Sequence, residues 1–179
     1  MRKALYILGQ LSDQDMEWLV AKGNKLKIPF GSSLITENEN IKAVYIVLDG
    51  LFSVSAKSIG EIAQLGSGEI IGEMSFVDTR PPSASVTAAE ESVVLSIPQL
   101  ELAEKLKNDL GFSVRFYRAI AIFLSYRLRD TVSQMGYGAT TSVDEEAFDP
   151  DELDENMLDN AHMAGARFDR ILRKVMDRD

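Results

Sequence analysis

Residues 68–88 read GEIIGEMSFVDTRPPSASVTA. A short apolar run ends at Ile71, Gly72-Glu73 follows, and Met74 to Val77 form a brief apolar segment. A loop through Pro81-Pro82 then leads into a new alternating run from Ala84. A lone Gly-Glu pair is common. The order strand, Gly-Glu, short helix, Pro-rich loop, strand is far more specific. Main-chain N–H groups at a short helix start, with the small hydroxyls of Ser83 and Ser85 opposite, make a compact anion site. Two readings of these side chains stay open. Glu73 either caps the short helix or faces a ligand, and Ser83 and Ser85 either face an anion or hydrogen-bond within their own turn.

On both sides of this stretch the pattern is short and alternating. Between residues 25 and 97 the runs are KLKIPF, SLIT, AVYIVL, LFSVSAK, EIAQL, EII, ASVTAA and SVVLSI. Gly31, Asp49-Gly50, Gly60 and Gly66-Ser67-Gly68 punctuate them. Many short strands with such punctuation predict an all-β sandwich or barrel. Asp49-Gly50 between two apolar runs predicts a hairpin turn, since both residues tolerate positive φ.

Helical periodicity brackets the strands. Ser12-Asp13-Gln14-Asp15 is a capping box with Asp in the place of Glu or Gln, and Leu11 and Met16 occupy the staple positions. That helix is expected to end at Gly23. After Pro98 a short helix is predicted to residue 108, then a long one over residues 112–135. The long helix carries two apolar stripes: Phe112, Phe116, Ala119 and Phe123, and Tyr117, Ile120, Leu124, Leu128 and Met135. A helix apolar on two sides is buried on two sides. One side suits the strands; the other suits the same helix of a second copy, so a homodimer through residues 112–135 is expected, the alternative being that the tail helix covers it within one chain. Arg115, Arg118, Arg127 and Arg129 are read as its solvated faces.

Composition excludes several function classes. The 179 residues carry a net charge of −9, with −2 on residues 1–138 and −7 on residues 139–179. So acidic a chain is a poor binder of nucleic acid or of anionic membrane. The absence of cysteine removes disulfides, thiol catalysis and cysteine-based zinc sites, and fits a cytoplasmic protein. No apolar run has the length of a membrane span, and the start MRKALYILGQLSD does not read as a signal peptide. His162 is the one histidine, so a His-pair metal site cannot be written, and no nucleophile–base pair stands out. The expectation is a protein that is not an enzyme, with no metal.

A boundary is placed near residue 138, dividing a body of residues 1–138 from an acidic linker and C-terminal helix of residues 139–179. Asp149-Pro150-Asp151-Glu152 is a good helix start. Leu153, Met157, Ala161, Ala164, Phe168, Ile171 and Val175 follow at helical spacing. That stripe either folds back on the body or docks on a protein partner.

Together these features resemble the cyclic-nucleotide-binding domain family, as a catabolite-activator-protein-like effector domain without its DNA-binding module. The resemblance runs from about Leu5 to Met135. It implies a mainly β fold with flanking helices: a β-roll, jelly-roll-like, followed by long C-terminal helices. It implies a ligand site of Gly72, Glu73, Met74, Ser75, Ser83, Ala84 and Ser85. In that site Glu73 accepts from a ribose 2′-hydroxyl, and Met74 and Ser75 present main-chain N–H groups. The family's phosphate-pairing Arg is replaced by Pro82, which has neither cation nor N–H. The resemblance therefore implies a regulatory module that binds cAMP or cGMP weakly, or a related small ligand. The alternative is a ligand-free scaffold acting through its C-terminal helix. No DNA-reading module is expected in the 41 residues after Gly138, because they hold one helical pattern.

Overall fold

The computed structural model describes residues 9–134 and 155–176. Helix α1 (Asp13–Lys22) opens the described fold, followed by strands β1 (Asn24–Ile28), β2 (Ser33–Ile35), β3 (Ala43–Asp49), β4 (Leu51–Ala56), β5 (Gly60–Gly66) and β6 (Ile70–Ile71). Helix α2 (Glu73–Asp78) interrupts the strands before β7 (Ser85–Ala88) and β8 (Ser92–Pro98). Helices α3 (Gln99–Asn108), α4 (Leu110–Gln134) and α5 (Glu155–Met176) complete the order.

The strands form two antiparallel four-stranded sheets, β1-β8-β3-β6 and β2-β7-β4-β5. The expected β-roll with flanking helices is therefore what forms. Its first sheet is apolar on both faces. Val44, Ile46 and Leu48 of β3 face the helices, whereas Val47 faces the second sheet, as does Val94 of β8. That is why β3 reads as a continuous apolar run. The second sheet alternates instead, with Phe52 and Val54 turned inward and their neighbours half-exposed.

One turn differs from the sequence expectation. Asp49-Gly50 does not close a hairpin, because β3 and β4 belong to different sheets. It is the corner at which the chain crosses between them. Local sequence supplies the positive φ that both kinds of turn need, here +98° at Gly50. Strand pairing decides which one forms.

Helix α1 starts with the expected capping box: the Ser12 hydroxyl accepts from the Asp15 N–H, and the Asp15 carboxylate accepts from the Ser12 N–H. Asp15 is also buried and takes a two-point contact from Arg115 of α4, at 2.7 and 2.9 Å. Arg115 is thus not simply on a solvated face, as its position in the helix had indicated. Burial works against ionisation of Asp15, but the Arg115 guanidinium and the Ser12 groups hold its carboxyl below the usual value. Trp18 packs nearby, its ring 5.6 Å from Phe112. Asp15→Ala removes cap and ion pair together and is expected to cost about 3 kcal/mol at neutral pH, read by urea unfolding. A depressed carboxyl stabilises above its unfolded pKa, so this contribution is lost as pH falls through the lowered value.

Along α4 the inward stripe is Phe112, Phe116, Ala119, Ile120 and Phe123, all buried. Ile120 belongs to this stripe rather than to the outer one, since steps of 4, 3 and 4 keep one line on one face. Tyr117 and Leu128 are exposed, and Met135 lies outside the described residues. The C-terminal half of α5 lies on α1: Ile171 and Val175 are buried in the core, with Phe168 and Leu172 packed against it. Arg167 and Arg170 both reach Asp13, and Lys174 reaches Glu17. The boundary placed near residue 138 and the helix start at Asp149 lie outside the described residues.

Candidate ligand cleft

The second sheet, α2 and the loop before β7 enclose a cleft of about 430 Å³. Its floor is apolar, from Ile35, Val54, Leu65, Ile71 and Val86. Its polar rim comes from residues 72–84 and from one residue of α4, Arg127. A greasy floor with a few convergent polar groups is the ordinary form of a small-molecule site.

Gly72 caps α2 at φ +88°. A Cβ there would come within 2.7 Å of Ile41 Cδ1 and 3.2 Å of the Ala43 carbonyl oxygen. Glycine is needed for both the turn and the close approach. The first turn of α2 then directs Glu73, Met74 and Ser75 to the cleft. Ser83 and Ala84 meet them from the opposite wall. Six of the seven residues assigned from sequence thus come together. Ser85 is not among the lining residues; its hydroxyl accepts from the Glu37 N–H at 3.0 Å and ties β7 to the end of β2. The Pro82 carbonyl likewise accepts from the Asn38 N–H at 2.8 Å, which pins the loop. Arg80 is exposed at the tip of this loop, its N–H donating to Asp78.

Glu73 is the cleft's central group, only 2% exposed. Arg127 Nη1 donates to its Oε1 at 2.6 Å. The guanidinium also lies 5.2 Å from the centre of the Phe123 ring. Burial pushes the Glu73 carboxyl above its usual value, while Arg127 and the residue's own main-chain N–H pull it back. Burial is the larger effect.

Arg127, like Arg115, is a residue that sequence reasoning placed on a solvated face and that instead holds a buried carboxylate. A signal existed: residues 116, 120, 123 and 127 follow steps of 4, 3 and 4, so Arg127 continues the buried stripe. A cation in such register needs a buried anion. Among the described residues no group of three or more His, Asp or Glu could hold a metal ion.

Residues 25–109 match the family model described as the cyclic nucleotide-binding domain. The chain is 36% identical over 89 residues to the Pycsar effector protein PaPycTIR of Pseudomonas aeruginosa, covering 49% of this chain and 29% of that one. It is 25% identical over 115 residues to XpPycTIR of Xanthomonas perforans, covering 64% and 36%. The chain thus spans about a third of the length of these curated relatives. A solved cyclic nucleotide-binding domain from Methylobacillus flagellatus superposes with a TM-score of 0.67 at 22% identity, covering 79% of this chain and 85% of that one. The Thermus thermophilus catabolite activator protein superposes at 0.61 with 16% identity, covering 96% and 87%. These two likenesses concern the fold.

Proposed function

We propose, from the match of residues 25–109 to the cyclic nucleotide-binding domain model, that this chain is a regulatory module, not a catalyst, that takes a cyclic mononucleotide in the 430 Å³ cleft and signals through α4. The observation that carries the reading is the Glu73–Arg127 pair. It joins the wall of the cleft to the long helix through one buried charge contact.

In this reading Glu73 accepts from the ribose 2′-hydroxyl, and the Met74 and Ser75 N–H groups and the Ser83 hydroxyl take the phosphate. Pro82 supplies no cation, so the cations lining the cleft are the half-buried Arg127 and the exposed Arg80. A nucleotide that bonds Glu73 shares or displaces Arg127. The ligand then favours one packing of α4 over another, which is a population shift. Two of the relatives are named effector proteins, and the match covers 29% and 36% of them, consistent with a control module.

The test is calorimetric titration with cAMP, cGMP, cCMP and cUMP. Saturable heat with at least one, lost in Glu73→Ala, is expected, and silence with all four overturns the reading. Pro82→Arg restores a charge-assisted phosphate contact and is expected to tighten binding about tenfold.

The same reading includes a homodimer through residues 112–135. Leu110, Val114, Tyr117 and Leu128 are exposed along α4 in one heptad register, with the exposed Val132 beside it, a seam that a second copy would cover. The scaffold alternative draws less support. In the C-terminal stripe, Phe168, Ile171 and Val175 pack against the body, which supports the fold-back reading for that half of it.

A further inference from the structure

A second cavity of about 720 Å³ lies on the other side of α2, between that helix, α3 and the start of α4. Its apolar wall is Phe76, Leu100, Leu106 and Tyr117. Lys107 and Arg80 stand among its lining residues, and none of these is Asp or Glu. In a chain of net charge −9 such a lining is notable for its sign. The side-chain amide nitrogen of Gln99, also in this wall, is buried with no hydrogen-bond partner. A buried donor left unpaired costs free energy, and a turn of the Gln99 side chain toward the cavity would let an arriving acceptor recover it.

From the cavity, the two cations, the lack of carboxylates and the orphaned amide we propose that this outer cavity is a second ligand site. It takes a small anionic amphiphile: an apolar body against Phe76 and Leu106, and a carboxylate or phosphate head between Lys107 and the Gln99 amide. The volume is that of an ordinary small-molecule site, here an open groove whose outer edge is the exposed Leu100. Carboxylate and phosphate heads share the chemistry that Lys107 and an amide donor recognise.

Helix α2 is the partition between the two cavities. Ser75 and Arg80 line both of them. Phe76, on the outer side, meets Phe116 of α4 edge-on, with ring centres 6.0 Å apart. An occupant of the outer cavity bears on Phe76, and so on the element that carries Glu73. The two sites are therefore coupled, and coupling of binding is reciprocal. This coupling rests on the nucleotide reading above; the site itself does not.

The experiment titrates the full chain with decanoate and decyl phosphate, using decanol and decyltrimethylammonium as controls. Saturable binding of an anionic probe is expected, with both controls about tenfold weaker or more. Lys107→Gln is expected to weaken the anionic probe about tenfold. Ala103→Trp fills the cavity from an exposed position on α3 and is expected to abolish binding while the unfolding midpoint stays unchanged. Equal binding of decanol, binding that survives Ala103→Trp, or no binding by either anion each overturns the site. These readouts need no nucleotide, so they stand apart from failure of the first site. Where a nucleotide does bind, a saturating anionic probe is expected to shift its affinity at least about threefold, and an unchanged affinity overturns the coupling.

Discussion

Arg127→Met is expected to lower stability by about 3 kcal/mol at neutral pH, because it leaves Glu73 buried without its cation. The pH dependence separates this cause from lost packing. A carboxyl whose folded pKa lies above its unfolded value favours the folded state fully below the unfolded pKa, near 4.5. That contribution is lost as pH rises through the raised folded value. Removing Arg127 raises it further, so the window of loss widens upward. Urea unfolding should therefore find the variant close to the parent at pH 5 and far below it at pH 8. Glu73→Gln placed on Arg127→Met should recover most of the difference. An equal deficit at both pH values would mean that the contact is steric rather than ionic.

Gly50→Ala is the other change of large expected effect. The residue sits at φ +98°, and a Cβ would fall 2.2 Å from Ser92 Oγ and 2.7 Å from Ser92 Cα. Ser92 is itself buried, with its hydroxyl bonded to the Glu90 carbonyl at 2.9 Å, so it has little room to yield. Backbone strain and overpacking add to a loss of more than about 3 kcal/mol. Gly60→Ala is the control. Its φ of +85° carries similar strain, but nothing lies within 4 Å of the new methyl. Its expected loss is about 1 kcal/mol, so a similar thermal shift in both variants would refute the crowding at the sheet corner.

The strands were legible because each alternates or runs apolar for a few residues between glycines, as AVYIVL and LFSVSAK do. Helix α1 was legible from its cap, since Ser12 and Asp15 act locally. Pairing was not. Nothing within Asp49-Gly50 says that its flanking strands join different sheets, because that depends on partners more than forty residues away, such as Val94 and Ile97 of β8. At the site, Gly72 to Ser75 and Ser83-Ala84 were readable as a contiguous motif. Arg127 comes from 54 residues beyond Glu73. Its role follows only from helical phase, and a reading that sorts arginines to the surface by chemistry alone passes over it. Arg115 was missed for the same reason, its partner Asp15 lying 100 residues earlier.

The chain's single tryptophan gives one more handle. Trp18 lies against Phe112 at the start of the long helix, with Lys105 Nζ 5.9 Å from its ring centre. The indole is remote from the cleft in sequence and is not among its lining residues. It is thus a native optical gauge of one joint. Emission that stays constant while heat is released would record occupancy without transmission. A spectral shift would record the long helix changing its seat on α1, and no dye would have to be attached to see it.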